Sequence, residues 1–272
     1  MRASVNTKLT VTILAVFLVI FSLYTWMTSM ADWEASKAAQ EESLMRTSEL
    51  SALEMQAVFN ETFDILQTEA NMLASAYRDG GLQAEMIVAM KRDLLAKHTS
   101  WLSNSAIFEP NVVTASTIEG QQFIDASNRF VPYFIREDDG TMTETNIEAY
   151  EQEAWYVRPI QNGETMITDP YDYEVGGETL SMVTLVVPVM TNDAAIGYVS
   201  ADFSLDFLGG LVTTYAPADG VQRVVTNSGL ITANSNDASV VGDTISVFSS
   251  RGEGLISELA ATSSTLTYEN DA

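Results

Sequence analysis

Residues 9–30 form an apolar run of about twenty residues with no charge inside it, long enough as a helix at about 1.5 Å per residue to cross a bilayer core of about 30 Å. From 31 to 77 there is no Pro or Gly, and Ala, Glu, Met, Leu and Gln dominate, so one long helix is expected. Leu50, Leu53, Ala57, Phe63, Leu66, Ala70, Leu73 and Tyr77 recur at spacings of mostly three and four, the stripe of a helix that packs on one side. Arg78-Asp79-Gly80-Gly81 ends it, the glycines being available for a left-handed cap, and a second helix is expected over 83–98.

After Ser100 the pattern changes to short β-rich segments. Strands are expected at 105–108, 130–136, 165–168, 180–190 and 195–203, separated by turns at Asp138-Asp139-Gly140, Glu174-Val175-Gly176-Gly177 and Thr191-Asn192-Asp193. The segment 180–190 is almost wholly apolar and β-branched, as a buried central strand requires. Helices are expected at 147–156, lying across the sheet, and at 205–215. Two further strands within 221–233, joined at Asn227-Ser228-Gly229 and trailed by Val240-Val241-Gly242-Asp243, suggest a smaller second sheet starting near Ala216-Pro217-Ala218-Asp219-Gly220.

Arg2 and Lys8 precede the apolar run, whereas Asp32, Glu34, Glu41 and Glu42 lie after it. The positive-inside rule therefore leaves the N-terminus in the cytoplasm and exports the chain beyond Met30, with Trp26 and Trp33 at the outer interface. The rival reading, a cleaved signal peptide, fits less well, because the run exceeds the usual core length and no small-x-small site closes it. With 13 Lys+Arg against 37 Asp+Glu the formal charge is -24, which repels nucleic acid and favours cationic solutes or simply solubility. No cysteine is present, so disulfides, thiolate metal sites and a Cys nucleophile are excluded. The single histidine, His98, falls at the expected end of a helix and reads as a C-cap. No nucleophile elbow, P-loop, dinucleotide fingerprint or zinc spacing is found, so no enzymatic activity and no cofactor or metal are expected; the acidic turn 169–174 lacks the Gly and terminal Glu of a calcium loop.

The chemistry is concentrated between 150 and 206, where Trp155, Tyr156, Tyr171 and Tyr173 accompany Glu153, Asp172 and Asp202. Aromatic faces beside carboxylates suit a small organic cation. Trp155 and Tyr156 also fit a helix-face core, and Asp172 and Tyr173 fit the chemistry of the turn at Gly176-Gly177. Asp202, ending an apolar strand, is the strongest single candidate, because a buried carboxylate needs a partner.

Taken in order, the apolar anchor, the long helix, Arg129-Phe130-Val131-Pro132-Tyr133, Trp155-Tyr156, Thr168-Asp169-Pro170-Tyr171, Leu185-Val186-Val187-Pro188-Val189 and Gly197-Tyr198-Val199-Ser200-Ala201-Asp202 resemble the double Cache sensor domain of bacterial methyl-accepting chemotaxis receptors. The resemblance implies an α+β fold with an N-terminal transmembrane helix at 1–30, a stalk helix at 31–78, and two PAS-like antiparallel-sheet modules. The distal, ligand-holding module would span 79–215, and the proximal one 216–272, cut short at Ala272. It also implies a periplasmic sensor anchored in the inner membrane through residues 9–30, and a homodimer. The dimer seam would run along the 50–73 stripe, unless that stripe docks on its own domain.

In amino-acid-sensing members an Arg two positions before the Trp-Tyr pair takes the ligand carboxylate and a later Asp takes the ammonium. Here Trp155, Tyr156, Tyr171 and Asp202 match, whereas the Arg position holds Glu153. An acid there opposes an α-carboxylate, so the expected ligand is an amine or quaternary ammonium compound; Arg158 keeps betaines open. The alternatives are the sensor of a histidine kinase or diguanylate cyclase, an anchored binding protein without signalling, and an amino-acid sensor.

Overall fold

The computed structural model describes residues 5–114, 117–216 and 221–245. The chain divides into two compact units, Met1–Glu49 and Leu50–Ala272. Residues 217–220, where the second sheet is expected to start, the part of the expected second module beyond 245, and Arg2 lie outside the described residues.

The first unit is helical. Helix α1 runs Val5–Gly80 and contains neither Pro nor Gly before its last residue, so nothing in the sequence interrupts its hydrogen-bond ladder. It is long and apolar enough to cross a membrane by length and composition. Leu14, Phe17, Ile20, Phe21, Leu23 and Trp26 all point outward, which in water would be an unfavourable surface.

In the second unit α1 ends at the expected place. Gly81 adopts φ +95° and donates its N–H to the carbonyls of Ala76 and Tyr77, the left-handed cap that the glycines foretold. Strand β1 (Leu82–Gln83) leads into α2 (Ala84–Lys97), which His98 caps, its ring stacked 4.6 Å from Trp101. The next strands are β2 (Ser103–Phe108), β3 (Val113–Thr114), β4 (Pro132–Arg136) and β5 (Met142–Asn146). Helix α3 (Ala154–Asn162) precedes β6 (Met166–Ile167), β7 (Tyr171–Val175), β8 (Glu178–Thr191) and β9 (Ala194–Ser204). Helix α4 (Leu205–Tyr215) comes next, its N-terminus capped by the Ser204 hydroxyl accepting from the Phe207 N–H, and β10 (Arg223–Val225) and β11 (Ile231–Asn234) are followed by a short 3-10 turn, Ala238–Val240.

One antiparallel sheet dominates, in the order β5-β4-β2-β9-β8-β6, with β7 also pairing with β8. β10 and β11 form a separate antiparallel pair, turned at Asn227-Ser228-Gly229 as expected. Alternation divides the large sheet into two faces. Val183, Leu185, Val187, Val199, Ala201 and Phe203 pack with Phe59, Phe63, Leu66 and Leu73 of α1 and with Ile87, Val88 and Leu95 of α2. Ile107, Tyr133, Ile135, Val186 and Tyr198 pack on the opposite face with Trp155 and Tyr156 of α3. Between α1 and α2, Lys91 and Glu69 are buried as an ion pair at 2.8 Å. Burial pushes the Glu69 carboxyl up and the Lys91 ammonium down, and their mutual attraction opposes both.

Several expectations need correction. The stripe on α1 is rotated in its first half, where Leu50, Leu53 and Ala57 are exposed and Ser51, Met55 and Phe59 are buried in their place, and at its end Tyr77 is exposed as well. Ser51 is tolerated there because its hydroxyl donates to Gln222 Oε1 at 2.7 Å. The helix expected at 147–156 begins only at Ala154, since Ala149 takes φ +52°, and it continues through Pro159 to a left-handed cap at Gly163. Strand 130–136 starts at Pro132, Phe130 forming only isolated bridges to Phe108 and Ile124. β5 and β7 are additions to the expected strands. β5 is a polar edge strand without an apolar face, and β7 carries Tyr171, Tyr173 and Val175 inward with Asp172 and Glu174 outward, where turn chemistry was an option for Asp172 and Tyr173.

Gly197 pairs with Phe108 across β2 and β9, and a Cβ there would overlap the Ile107 carbonyl oxygen and the Phe108 ring. Because backbone and a buried ring cannot yield cheaply, Gly197→Ala is expected to lower the unfolding free energy by about 2–3 kcal/mol in urea titrations at unchanged m-value.

Candidate functional site

The alternation that sends Val199, Ala201 and Phe203 to the helix-backed core sends Tyr198, Ser200 and Asp202 to the α3 side. There Ser105, Tyr133, Ile147, Trp155, Tyr171, Tyr173, Thr184, Ser200 and Asp202 surround a cavity of about 10 Å³. That is room for about one water molecule. β2, β4, β8 and β9 form its floor, and β7 with α3 forms its walls.

Asp202, 3% exposed, is the charged member of this lining. Its Oδ2 accepts from Ser103 Oγ at 2.5 Å and from the Tyr133 hydroxyl at 3.2 Å, and Thr184 adds a third hydroxyl. Burial pushes the Asp202 carboxyl above its usual range, against the pull of those hydroxyls and of the Lys91 charge. The phenols of Tyr133 and Tyr171 are pushed well up, first by burial and then by the Asp202 charge, so both remain neutral hydroxyls.

The walls are aromatic. Trp155 stacks on Tyr171 at 6.3 Å and meets Tyr173 edge-on at 6.3 Å, and Tyr173 stands perpendicular to Tyr133 at 5.8 Å. Trp155 Nε1 is buried with no hydrogen-bond partner among the described residues, and so is the Tyr198 hydroxyl. A buried indole N–H left unpaired costs about 1–3 kcal/mol, so an acceptor entering the cavity would relieve it.

The seven residues singled out from the sequence separate into two groups. Trp155, Tyr171, Tyr173 and Asp202 meet around the one cavity. Tyr156 turns away and donates to Glu109 Oε1 at 2.6 Å. Glu153 is the exposed N-cap of α3, outside the lining. Asp172 lies on the outer face of β7, accepting from Ser181 Oγ at 2.5 Å. Arg158, kept open for a ligand carboxylate, is exposed and paired with Glu164, and it does not line the cavity. Sequence patterning does not single out Ser103, Ser105, Tyr133, Ile147, Thr184 or Ser200 as site residues. Counting back by two from Asp202 finds Ser200, and Tyr133 stands inside the Arg129-to-Tyr133 motif, but the register that brings Ser103 and Thr184 opposite Asp202 is visible only in the sheet.

A carboxyl held above its unfolded value, about 3.8 for an aspartate, contributes stability that is fully present below that value and is lost as pH rises through the folded one. Asp202→Asn removes this loss while leaving an oxygen for Ser103. Without added ligand the variant is expected to unfold at a higher temperature than the parent at pH 7, with the gap closing toward about pH 4 in parallel thermal scans.

Comparison with known proteins agrees with this architecture. Residues 92–209 match the family model of the methyl-accepting chemotaxis protein-like first PDC sensor domain. The methyl-accepting chemotaxis protein TlpQ of Pseudomonas aeruginosa is 29% identical over 213 residues, covering 69% of this chain and 29% of that protein. The chain thus spans about three tenths of the length of that relative. Among solved structures, the periplasmic sensory domain of the Campylobacter jejuni chemoreceptor Tlp1 superposes with TM-score 0.63 at 14% identity, covering 79% of this chain and 80% of that one. The extracellular domain described as that of histidine kinase mmHK1S-Z2 superposes with TM-score 0.66 at 20% identity, covering 82% and 83%. Residues 92–209, which include the lining of the Asp202 cavity, thus match the model of a PDC sensor domain, and the fold is that of Cache-type sensor domains.

Proposed function

We propose that this chain is the ligand-sensing part of a transmembrane chemoreceptor and that its ligand is a small organic amine or quaternary ammonium compound. The observation that carries the ligand class is the charge of the cavity. Among the described residues that line it, Asp202 is charged and no Lys, Arg or His is present. A cation gains the field of a dry carboxylate and, from each aromatic face, roughly 0.5–2 kcal/mol. An α-carboxylate finds no cationic partner there, since Arg158 is engaged with Glu164 and an acid, Glu153, caps α3. The unpaired Trp155 N–H favours, among amines, one that also carries a hydrogen-bond acceptor.

A cavity of about 10 Å³ does not accommodate such a molecule, so binding requires Trp155, Tyr171 and Tyr173 to separate. A ligand that binds the opened arrangement shifts the population toward it by as much as its preference for that state. In this reading the apolar part of α1 lies in the inner membrane with the N-terminus in the cytoplasm, the sensor is periplasmic, and the receptor is a homodimer. The exposed Leu50 and Leu53 remain available to a second copy, whereas Phe63, Leu66, Ala70 and Leu73 are covered by their own domain. The role is binding rather than catalysis.

Thermal unfolding of the detergent-solubilised chain against amines, quaternary ammonium compounds, L-amino acids and dicarboxylates tests the ligand class. At a hundred times its dissociation constant a ligand adds about 2.7 kcal/mol, a readily visible shift. Amines are expected to give it, and Asp202→Ala to weaken them by about 100-fold or more through loss of a buried charge partner. A shift confined to amino acids or dicarboxylates would sink the reading.

A further inference from the structure

Five side chains outside the cavity lining are wired together at its edge. Glu109 comes directly after β2, Asp125 and Arg129 belong to the loop before β4, Tyr150 precedes α3, and Tyr156 is in its first turn. Asp125 Oδ1 holds its own loop by accepting from the Ser127 and Arg129 backbone N–H groups, both at 2.9 Å, and its Oδ2 accepts from the Tyr150 hydroxyl. Glu109 Oε1 accepts from the Tyr156 hydroxyl at 2.6 Å. Arg129 lies between the two carboxylates, its Nη1 3.9 Å from Asp125 Oδ2 and its Nε 3.7 Å from Glu109 Oε1. Its guanidinium also covers the Tyr156 ring at 5.7 Å, and the Tyr150 and Tyr156 rings meet edge to face at 4.9 Å.

What gives this network a function is where its two phenols sit. Ile147 and Trp155 line the cavity, and the tethered Tyr150 and Tyr156 follow them by three residues and by one. The segment that walls the cavity on the α3 side is thus fastened at two points to residues that take no part in the lining, Glu109 after β2 and Asp125 in the loop before β4. The cavity is too small for an organic ligand as it stands, so that segment has to move. We propose that Glu109, Asp125 and Arg129 are positioning residues that latch the α3 wall, and that Arg129, by neutralising two neighbouring carboxylates that would otherwise repel each other, sets how readily the wall opens.

Burial opposes ionisation of Asp125, but the bonds from Tyr150 and the loop amides outweigh it and hold its carboxyl below the usual range, which keeps the latch charged at neutral pH. Both phenols are raised, by burial first and then by bonding to the carboxylates, and so remain donors. The latch rests on α3 walling the cavity and not on which ligand enters it. Its test therefore needs no ligand, and it fails or succeeds separately from the amine reading.

The test is hydrogen–deuterium exchange of the full chain in detergent, read by mass spectrometry, comparing residues 147–162 with residues 178–204 of the β8–β9 hairpin as an internal reference. Tyr156→Phe deletes one hydroxyl and keeps the ring, and Arg129→Met keeps length and removes the charge. Each is expected to speed exchange across 147–162 about tenfold while 178–204 changes less than about twofold, since local opening and global unfolding are separable. Arg129→Lys, which keeps the charge without the planar fork, is expected to fall between Arg129→Met and the parent. Unchanged exchange across 147–162, or an equal rise in both segments, overturns the proposal. If Arg129→Met does not fold, Tyr150→Phe, which leaves the guanidinium and both carboxylates in place, decides by the same two segments.

Discussion

Everything at the site depends on keeping one carboxylate dry. Asp202 is carried by a strand whose neighbours on both sides are paired, so its backbone cannot retreat toward water, and its side chain faces a cavity with room for little solvent. An isolated buried carboxylate is costly, and the sheet offsets that cost by register: β2 brings Ser103 and β8 brings Thr184 directly opposite Asp202, each with a hydroxyl to donate. A one-residue slip of β9 would exchange Asp202 with Phe203 and place a charge against α1 and a phenyl ring in the cavity. The hydrophobic core therefore enforces the register, and through it which side chains line the cavity.

The same constraint explains why the fold is legible in the sequence where both faces are buried. The long apolar runs at 180–190 and 195–203 have one reading as central strands, and the helices at 83–98 and 205–215 are bounded by turn and cap residues that act locally. β5 is illegible because its register is imposed by β4 while its own residues, Met-Thr-Glu-Thr-Asn, show no buried face. The expected bounds of α3 miss at both ends: Ala149 takes φ +52° and the helix starts only at Ala154, and Pro159 sits inside the helix, whose end is set by Gly163.

The site is half legible for a geometric reason. Trp155 and Tyr156 are neighbours in sequence, but successive helix positions point about 100° apart, so one enters the cavity and the other reaches Glu109. Asp172 and Tyr173 are separated in the same way by the alternation of a strand. Composition gathers aromatic and acidic residues into one region, but it carries no information on which of two adjacent side chains faces inward. The hydroxyls of Ser103 and Thr184 are ordinary strand residues until a carboxylate is placed opposite them, and for Ser103 that placement is a property of pairing across about 100 residues of chain.

The Lys91–Glu69 pair restricts how α1 and α2 can move past each other. Both ends are sealed from water, so a slide of one helical turn, about 5.4 Å, would leave an ammonium and a carboxylate each facing hydrocarbon alone. Rotation about the contact keeps the charges together. The pair thus acts as a pivot and not as a rail: at this contact a tilt of α1 against α2 keeps the charges together, whereas the piston stroke that an all-apolar seam would permit separates them.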